Sequence, residues 1–233
     1  MVGRATRLIA ALMLWPGAIT GGLASASAVA APPGHADFRN EPVSPEARSI
    51  ADWAISSGDN RGLAFVIVDK RAAQVLVFRP DGQLAGAAPA LLGLARGDHT
   101  VPGIGTRPLA GIRPEERTTP AGRFVAAIGH DLKSDVVWID YDAAISLHRV
   151  INTKPKERRL QRLETPTPLD NRISYGCINV PAAFYDGTVR PAFLGTAGIV
   201  YILPEVRSLE DVFPGYGVAA QALRVPKPPQ PSG

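Results

Sequence analysis

The chain has 233 residues, of which 45% are hydrophobic and 20% charged, with 25 Lys and Arg, 21 Asp and Glu and a formal net charge of +4. So mild a surplus does not suggest nucleic-acid binding, and a single cysteine cannot form an intramolecular disulfide. The roughly 200 residues that follow the first thirty can bury one substantial core, which makes one domain the natural expectation and disulfides unnecessary.

The first thirty residues hold Arg4 and Arg7, an apolar stretch over residues 8–23, and Ala-x-Ala sites ending at Ala26, Ala28 or Ala30. That is the layout of a secretory signal peptide. Pro16, Gly17, Gly21 and Gly22 interrupt a run already shorter than the ~20 apolar residues of a spanning helix, so cleavage is favoured over a membrane anchor. Losing Arg4 and Arg7 lowers the charge from +4 to +2. No later segment is apolar and long enough to span. The expectation is a periplasmic or secreted protein with no stable membrane span after cleavage.

Residues 31–44, rich in Pro and Gly, read as a flexible leader. Next comes a short helix with Ser44 as N-cap, Pro45 at its first position, Ile50, Trp53 and Ala54 on one face, and Gly58 ending it. From Gly62 the texture turns to β. LAFVIVDK and QVLVFRP are β-branched and aromatic runs, followed by a tight turn at Asp81 and Gly82, so a meander of antiparallel strands is predicted. Asp69 and Asp81 read as turn residues. Residues 93–122 form a long connection punctuated by Gly and Pro and ending in TTPAGRF, the kind of loop that is usually functional.

Strands resume with RFVAAIG, DVVWIDY and AISLHRV. A second excursion over residues 151–172 has a helical look in its middle. After ISYGCINV, the segment PAAFYDGT reads as a helix with Pro181 in its first turn and Gly187 at its end, and AGIVYILP is a last strand. The domain is expected over residues 45–213, with a disordered Pro-rich tail over 214–233. The sum is a mainly β domain, a barrel or sandwich closed on one core, with a few short helices.

Cys177, within ISYGCINV, is open to three readings: a buried small hydrophobe, an intermolecular link, or a reactive thiol. An idle free thiol is a liability in an oxidising compartment, which favours chemistry. A cysteine nucleophile needs a base or positive neighbour to form thiolate, and donors where an oxyanion develops. Of His35, His99, His130 and His148, only His148 ends a predicted strand as the chain leaves for a loop, where catalytic groups tend to sit. The spacing of the histidines and Cys177 matches no compact zinc motif, so no metal is expected.

Three stretches taken in order resemble the YkuD-type L,D-transpeptidase catalytic domain. TTPAGRF, residues 118–124, is similar to its T-P-x-G-x-F segment; His148 resembles its strand-end histidine; SYGCIN, residues 174–179, resembles its S-H-G-C-x-N/R signature. The resemblance runs from about Leu63 to Leu203 and implies the family's β-barrel or sandwich. It implies Cys177 as acyl-accepting nucleophile and His148 as general base. Gly176 matches the small residue beside the nucleophile, where backbone N–H groups can face the oxyanion. Asn179 and Tyr175 stand at positions near the active centre, and Ser174 would order the turn. Tyr141 and Arg149 are further candidates for substrate contact, and Trp138 reads as core. The substrates implied are peptidoglycan stem peptides and an amine acceptor, a second stem or a protein. A hydrolase on the same fold, acting as an L,D-carboxypeptidase, and a cell-wall-binding protein without catalysis are the alternatives.

Two departures from the family pattern stand out. Tyr175 replaces its second histidine, and 29 positions separate His148 from Cys177, more than the family's usual connection. The extra length is expected to loop out between an antiparallel pair of strands. It carries Lys154, Lys156, Arg158, Arg159 and Arg162 against Glu157 and Glu164, either a solvated surface helix or a basic lid that attracts the carboxylates of stem peptides.

Overall fold

In the computed structural model residues 34–130 and 133–224 are described; the signal-peptide reading of residues 1–30 and the last part of the expected tail lie outside them. Helix α1 (Pro45–Ser56) begins where Ser44 accepts the Ala47 N–H at 3.0 Å and Pro45 occupies its first position. Its Ile50, Ala51, Trp53 and Ala54 are buried. Strands β1 (Phe65–Asp69), β2 (Gln74–Phe78) and β3 (Leu84–Pro89) form the predicted antiparallel meander. The Asp69 carboxylate accepts the Arg71 and Ala72 N–H groups, and that of Asp81 accepts the Gln83 N–H.

The remaining strands are β4 (Leu92–Gly93), β5 (Gly122–Gly129), β6 (Val136–Asp140), β7 (Ile145–Arg149), β8 (Arg172–Ser174), β9 (Ile178–Val180) and β10 (Gly198–Ile202). Between β7 and β8 lies helix α2 (Arg159–Glu164). Eight strands make one sheet in the order β3-β2-β1-β10-β5-β6-β7-β9, and β4 pairs with β8. The chain leaving β3 returns to the far edge: Leu91 and Asn179, beside and within β9, exchange backbone hydrogen bonds of 2.8 and 2.9 Å. The result is a nearly closed, mainly β barrel.

Strand alternation sends successive side chains to opposite faces, and the sheet accordingly builds two apolar clusters rather than the single core expected. Val66, Val68, Val75, Val77, Val200 and Ile202 face inward with Leu147, Ile178 and Tyr185. Phe65, Ile67, Leu76, Phe78, Ile199 and Tyr201 pack on the other face against α1 and Phe213. Phe65 stacks on Phe78 at 4.6 Å, and Trp53 meets Tyr201 edge-on at 6.1 Å.

Four expectations need correction. Residues 34–44 are not a loose leader: Ala36 and Phe38 are buried and Asp37 is hydrogen-bonded to the chain beside β3, because Phe38 fills an aromatic gap against Phe78. The helix after Pro181 runs past Gly187 as α3 (Ala182–Phe184), a π-helical turn (Tyr185–Val189) and α4 (Arg190–Phe193). Burial of Tyr185, Val189 and Phe193, four residues apart, outweighs the low helix propensity of Gly187. After a short helix α5 (Leu209–Val212), the expected tail is helical over α6 (Pro214–Arg224), with Tyr216 against Trp53. Finally, β7 and β9 are parallel, not antiparallel; the long connection supplies the crossover that a parallel return requires.

Candidate active site

The β7–β9 register builds the site. Leu147 lies opposite Ile178, His148 opposite Asn179 and Arg149 opposite Val180. Leu147, Ile178 and Val180 turn inward, so alternation places Ser146, His148 and Asn179 together on the outer face, with Cys177 one step before β9 beside Ser146. The Ser146 hydroxyl donates to the Cys177 Sγ at 3.6 Å, and Sγ lies 3.4 Å from the Ala144 carbonyl. Burial opposes ionisation of this thiol. Hydrogen bonding and charge from His148, helped by Ser146, outweigh it and hold the thiol below its ordinary value. The His148 Nδ1 lies 2.7 Å from the Arg149 carbonyl oxygen. A carbonyl only accepts, so Nδ1 carries the proton and Nε2 keeps the lone pair that can take one.

The turn that presents Cys177 is locked from three sides. Ser174 Oγ accepts the Gly176 N–H at 3.0 Å and donates to the Cys177 carbonyl at 2.6 Å. Thr119 Oγ1 donates to the Gly176 carbonyl at 2.7 Å while accepting the Gly93 N–H at 2.9 Å, so TTPAGRF braces the turn. Asn179 Nδ2 donates to the Cys177 carbonyl at 3.2 Å. Gly176 has φ of 135°, and a Cβ there would sit 2.7 Å from both Ile145 Cδ1 and the Thr118 carbonyl; only glycine fits. Its N–H is engaged with Ser174, so an oxyanion would have to draw it away from that hydroxyl or use another donor.

Residues 94–121 form one wall. Their 3-10 turn Ile104–Thr106 sits so close to the β6–β7 turn that a Cβ on Gly105 would lie 2.4 Å from the Asp142 carbonyl. Between this loop and the turn lies a pocket of about 80 Å³ bordered by Cys177, Tyr175, Arg107, Thr118, Ile112 and Ala144. Tyr175 lies under the Arg117 guanidinium, 4.1 Å from ring centroid to cation. The wall is fixed by a buried charge cluster: Lys70 Nζ donates to Asp98 at 2.8 Å and to the Thr119 carbonyl at 2.9 Å, and Arg172 pairs with Glu205 at 2.5 Å. Asp98 also accepts the N–H groups of Glu205, Val206 and Arg207. Burial opposes its charge, yet Lys70 and these N–H groups pull its pKa down to about 2.

On the other side the connection from β7 reaches the site through Arg159, which pairs with Glu157 at 2.6 Å and donates to Asn179 Oδ1 at 2.9 Å. Trp138, opposite Ser146 on β6, stacks on Tyr141 at 4.6 Å, and Tyr141 is 64% exposed. Tyr141 is thus an exposed ring stacked on a neighbour of Ser146. The structure places Arg149 elsewhere: strand alternation turns it away from His148, its guanidinium is held by Asp135 and Asp186, and it covers the Tyr185 ring. His35 pairs with Asp52, His99 and His130 are exposed, and no group of metal-ligating side chains occurs among the described residues. Sequence reasoning missed Ser146, and Thr119 as a brace. The two-residue offset of Ser146 from His148 on one strand was a usable signal.

No family model matches the sequence, and no curated protein does. Solved structures do. They include L,D-transpeptidases. The catalytic domain of an L,D-transpeptidase from E. faecium is 16% identical, over 60% of this chain and 96% of that one, with a TM-score of 0.34. An L,D-transpeptidase from Mycobacterium tuberculosis is 15% identical over 60% and 57%, with a TM-score of 0.36. The helical cell shape determining protein Pgp2 (K307A mutant) from Campylobacter jejuni is 14% identical over 78% and 65%, with a TM-score of 0.41. The chain thus spans less than two thirds of the mycobacterial and Campylobacter proteins. Among the described residues no helix is long and apolar enough to cross a membrane.

Proposed function

We propose that this is an exported cysteine L,D-transpeptidase acting on peptidoglycan stem peptides. The observation that carries the reading is the β7–β9 register, which sets His148 and Ser146 on the face of Cys177 with the Ser146 hydroxyl 3.6 Å from its Sγ, on a turn whose sequence resembles the family signature. His148 Nε2 takes the thiol proton. The thiolate attacks the L,D-amide carbonyl between the third and fourth stem residues, and the developing oxyanion is met by backbone N–H groups of the 174–177 turn. Collapse breaks the C–N bond, and the departing amine of the terminal D-residue takes the proton from His148. The thioester passes to an amine, whose proton His148 removes as the new amide forms and the thiolate is released.

The single-cysteine chemistry needs no cofactor in this scheme. Water in place of the amine would make the same site an L,D-carboxypeptidase. Tyr175, held by Arg117 where the family has histidine, is the residue that favours the alternative of a binding protein without catalysis.

Mass spectrometry of the protein after incubation with a carbapenem or a tetrapeptide stem tests the reading. A covalent adduct that vanishes in Cys177→Ala is expected, and absence of any adduct would overturn it. Product analysis with and without an amine acceptor separates transfer from hydrolysis. The pH dependence of alkylation by iodoacetamide gives a second measure: reactivity rises with deprotonation, so its midpoint lies below that of an ordinary thiol and moves up in His148→Gln.

A further inference from the structure

A base at His148 must hold its own proton on Nδ1 and keep Nε2 free, and the acceptor that sets this is the Arg149 carbonyl, 2.7 Å from Nδ1. Arg149 is the last residue of β7, and the crossover beyond it is exposed over residues 151–156. A carbonyl at a strand end beside so exposed a segment needs a further anchor to fix its direction. The Arg149 side chain supplies one. Strand alternation sends it to the face opposite His148, where the guanidinium meets carboxylates from two other segments. Nη1 donates to Asp135 Oδ1 at 2.8 Å and to the Asp135 carbonyl at 3.1 Å. Nε and Nη2 donate to Asp186 Oδ1 at 2.9 and 2.5 Å. Beneath the guanidinium lies the ring of Tyr185, 4.2 Å away at its centroid and fully buried.

Both carboxylates belong to elements that frame the site. Asp135 leads into β6, the strand paired with β7, and is itself fixed by Arg190 Nε at 2.8 Å and by the Tyr185 hydroxyl on its carbonyl at 3.3 Å. Asp186 lies in the π-helical turn (Tyr185–Val189), which the chain reaches from β9 through Pro181 and α3. Such turns recur at functional sites, and this one sends Tyr185 into the core and Asp186, next in sequence, to Arg149. A residue that only covered Tyr185 could be apolar. Here one guanidinium instead ties the end of the histidine strand to the start of β6 and to the segment that follows the cysteine strand.

We propose that Arg149 is a positioning residue for His148: clamped by Asp135 and Asp186, it fixes its own carbonyl and so holds the imidazole in the Nδ1–H tautomer that leaves Nε2 able to take the Cys177 proton. The inference rests on the reading of His148 as general base, and it deepens that reading by naming what sets the base. Once Nε2 has taken the proton the ring is cationic, and its Nδ1–H bond to the carbonyl becomes charge-assisted and stronger. The clamp therefore matters most as the thiolate forms. The Arg149 side chain touches neither thiol nor substrate in this scheme.

Two measurements test the clamp. The tautomer is read by long-range proton–nitrogen NMR of the histidine rings at mildly alkaline pH, in a Cys177→Ala background that keeps the ring from pairing with a thiolate, with His148→Gln to assign the signal. The rate of Cys177 alkylation by iodoacetamide is read in the protein that keeps its thiol. With Arg149 in place, His148 is expected as the Nδ1–H form. Arg149→Leu, which keeps an apolar cover on Tyr185, should let the Nε2–H form appear and slow alkylation by about tenfold, the scale of one hydrogen bond to a charged group. Arg149→Lys should restore part of both, because a point charge replaces a fork of donors. Asp186 is half exposed, so Asp186→Asn spares the fold and should shift the tautomer the same way by less. Far-UV circular dichroism should be unchanged throughout. An unchanged tautomer in Arg149→Leu and Asp186→Asn overturns the clamp, and so does a shifted tautomer with unchanged alkylation. If no carbapenem or stem adduct forms on the wild-type protein while tautomer and alkylation depend on Arg149, the clamp stands and the transpeptidase reading falls. If the adduct forms and the tautomer ignores Arg149, the reading stands and the clamp falls.

Discussion

Two long excursions border Cys177, and different physics holds each. Residues 94–121 are bolted to the barrel by charges taken out of water: Lys70, Asp98, Arg172 and Glu205 are tied to one another and to backbone groups of three separate segments. Residues 150–171 lie mostly outside, with Ile151, Leu160 and Leu169 exposed, and touch the site through Arg159 on Asn179. The contrast teaches that the first excursion is a fixed wall, whereas the second is tied to the site at one point and is proposed as a cover. A buried ion pair is costly to break because the survivor stays charged in a dry place, whereas surface pairs contribute little.

The largest effect should come from breaking the wall. Asp98→Ala strands the Lys70 ammonium, whose remaining carboxylate, Glu205, is 3.7 Å away, and removes the acceptor for three N–H groups. A loss of about 3–5 kcal/mol in urea unfolding is expected; a loss near zero would mean that the cluster does not hold the wall. The same carboxylate sets an acid limit. Its pKa is lowered on folding from 3.8 to about 2, so its stabilisation is complete above about pH 4 and is lost as pH falls through about 2. Asp98→Asn should flatten that part of the acid-unfolding profile.

Thr119→Val is next. It leaves the Gly176 carbonyl and the Gly93 N–H without their shared hydroxyl, for a cost of about 1–3 kcal/mol, and it should slow alkylation of Cys177 by loosening the turn. Ser146→Ala is smaller: it removes one donor from the thiolate and should raise the midpoint of the alkylation pH profile, with stability nearly unchanged. Smallest in stability terms is the cover. Lys156 and Arg158 are exposed and carry no ion pair among the described residues, whereas Arg159 and Arg162 are engaged. Lys156→Gln with Arg158→Gln should leave unfolding within about 0.5 kcal/mol and weaken turnover of acidic stems, but not reaction with iodoacetamide. Equal effects on both would remove the cover from substrate attraction.

The strands were legible because β-branched and aromatic runs alternate with turn residues at Asp81, Gly82 and elsewhere, signals that are local. The parallel pairing of β7 with β9 was not, since a strand carries no mark of which distant strand it joins. Gly187 misled because local propensity was read without the packing of Tyr185, Val189 and Phe193. At the candidate site, Cys177 and His148 stood out by residue type and place along the chain, and Ser174 only through the resemblance. Lys70, Asp98, Arg172 and Glu205 could not, because each is an ordinary charged residue until folding brings together positions that are scores of residues apart.

The parallel register between β7 and β9 has a consequence for engineering. Three residue pairs, 147 with 178, 148 with 179 and 149 with 180, position the histidine and the cysteine, and beyond the dozen or so residues that a parallel crossover needs the length of chain between the strands does not enter that geometry. The crossover is a cassette. Its segment from Lys154 to Pro168 can be shortened, exchanged or fused to a recognition module, provided that Arg159 or an equivalent donor for Asn179 is retained, and the thiol should keep its reactivity while the partner it meets changes.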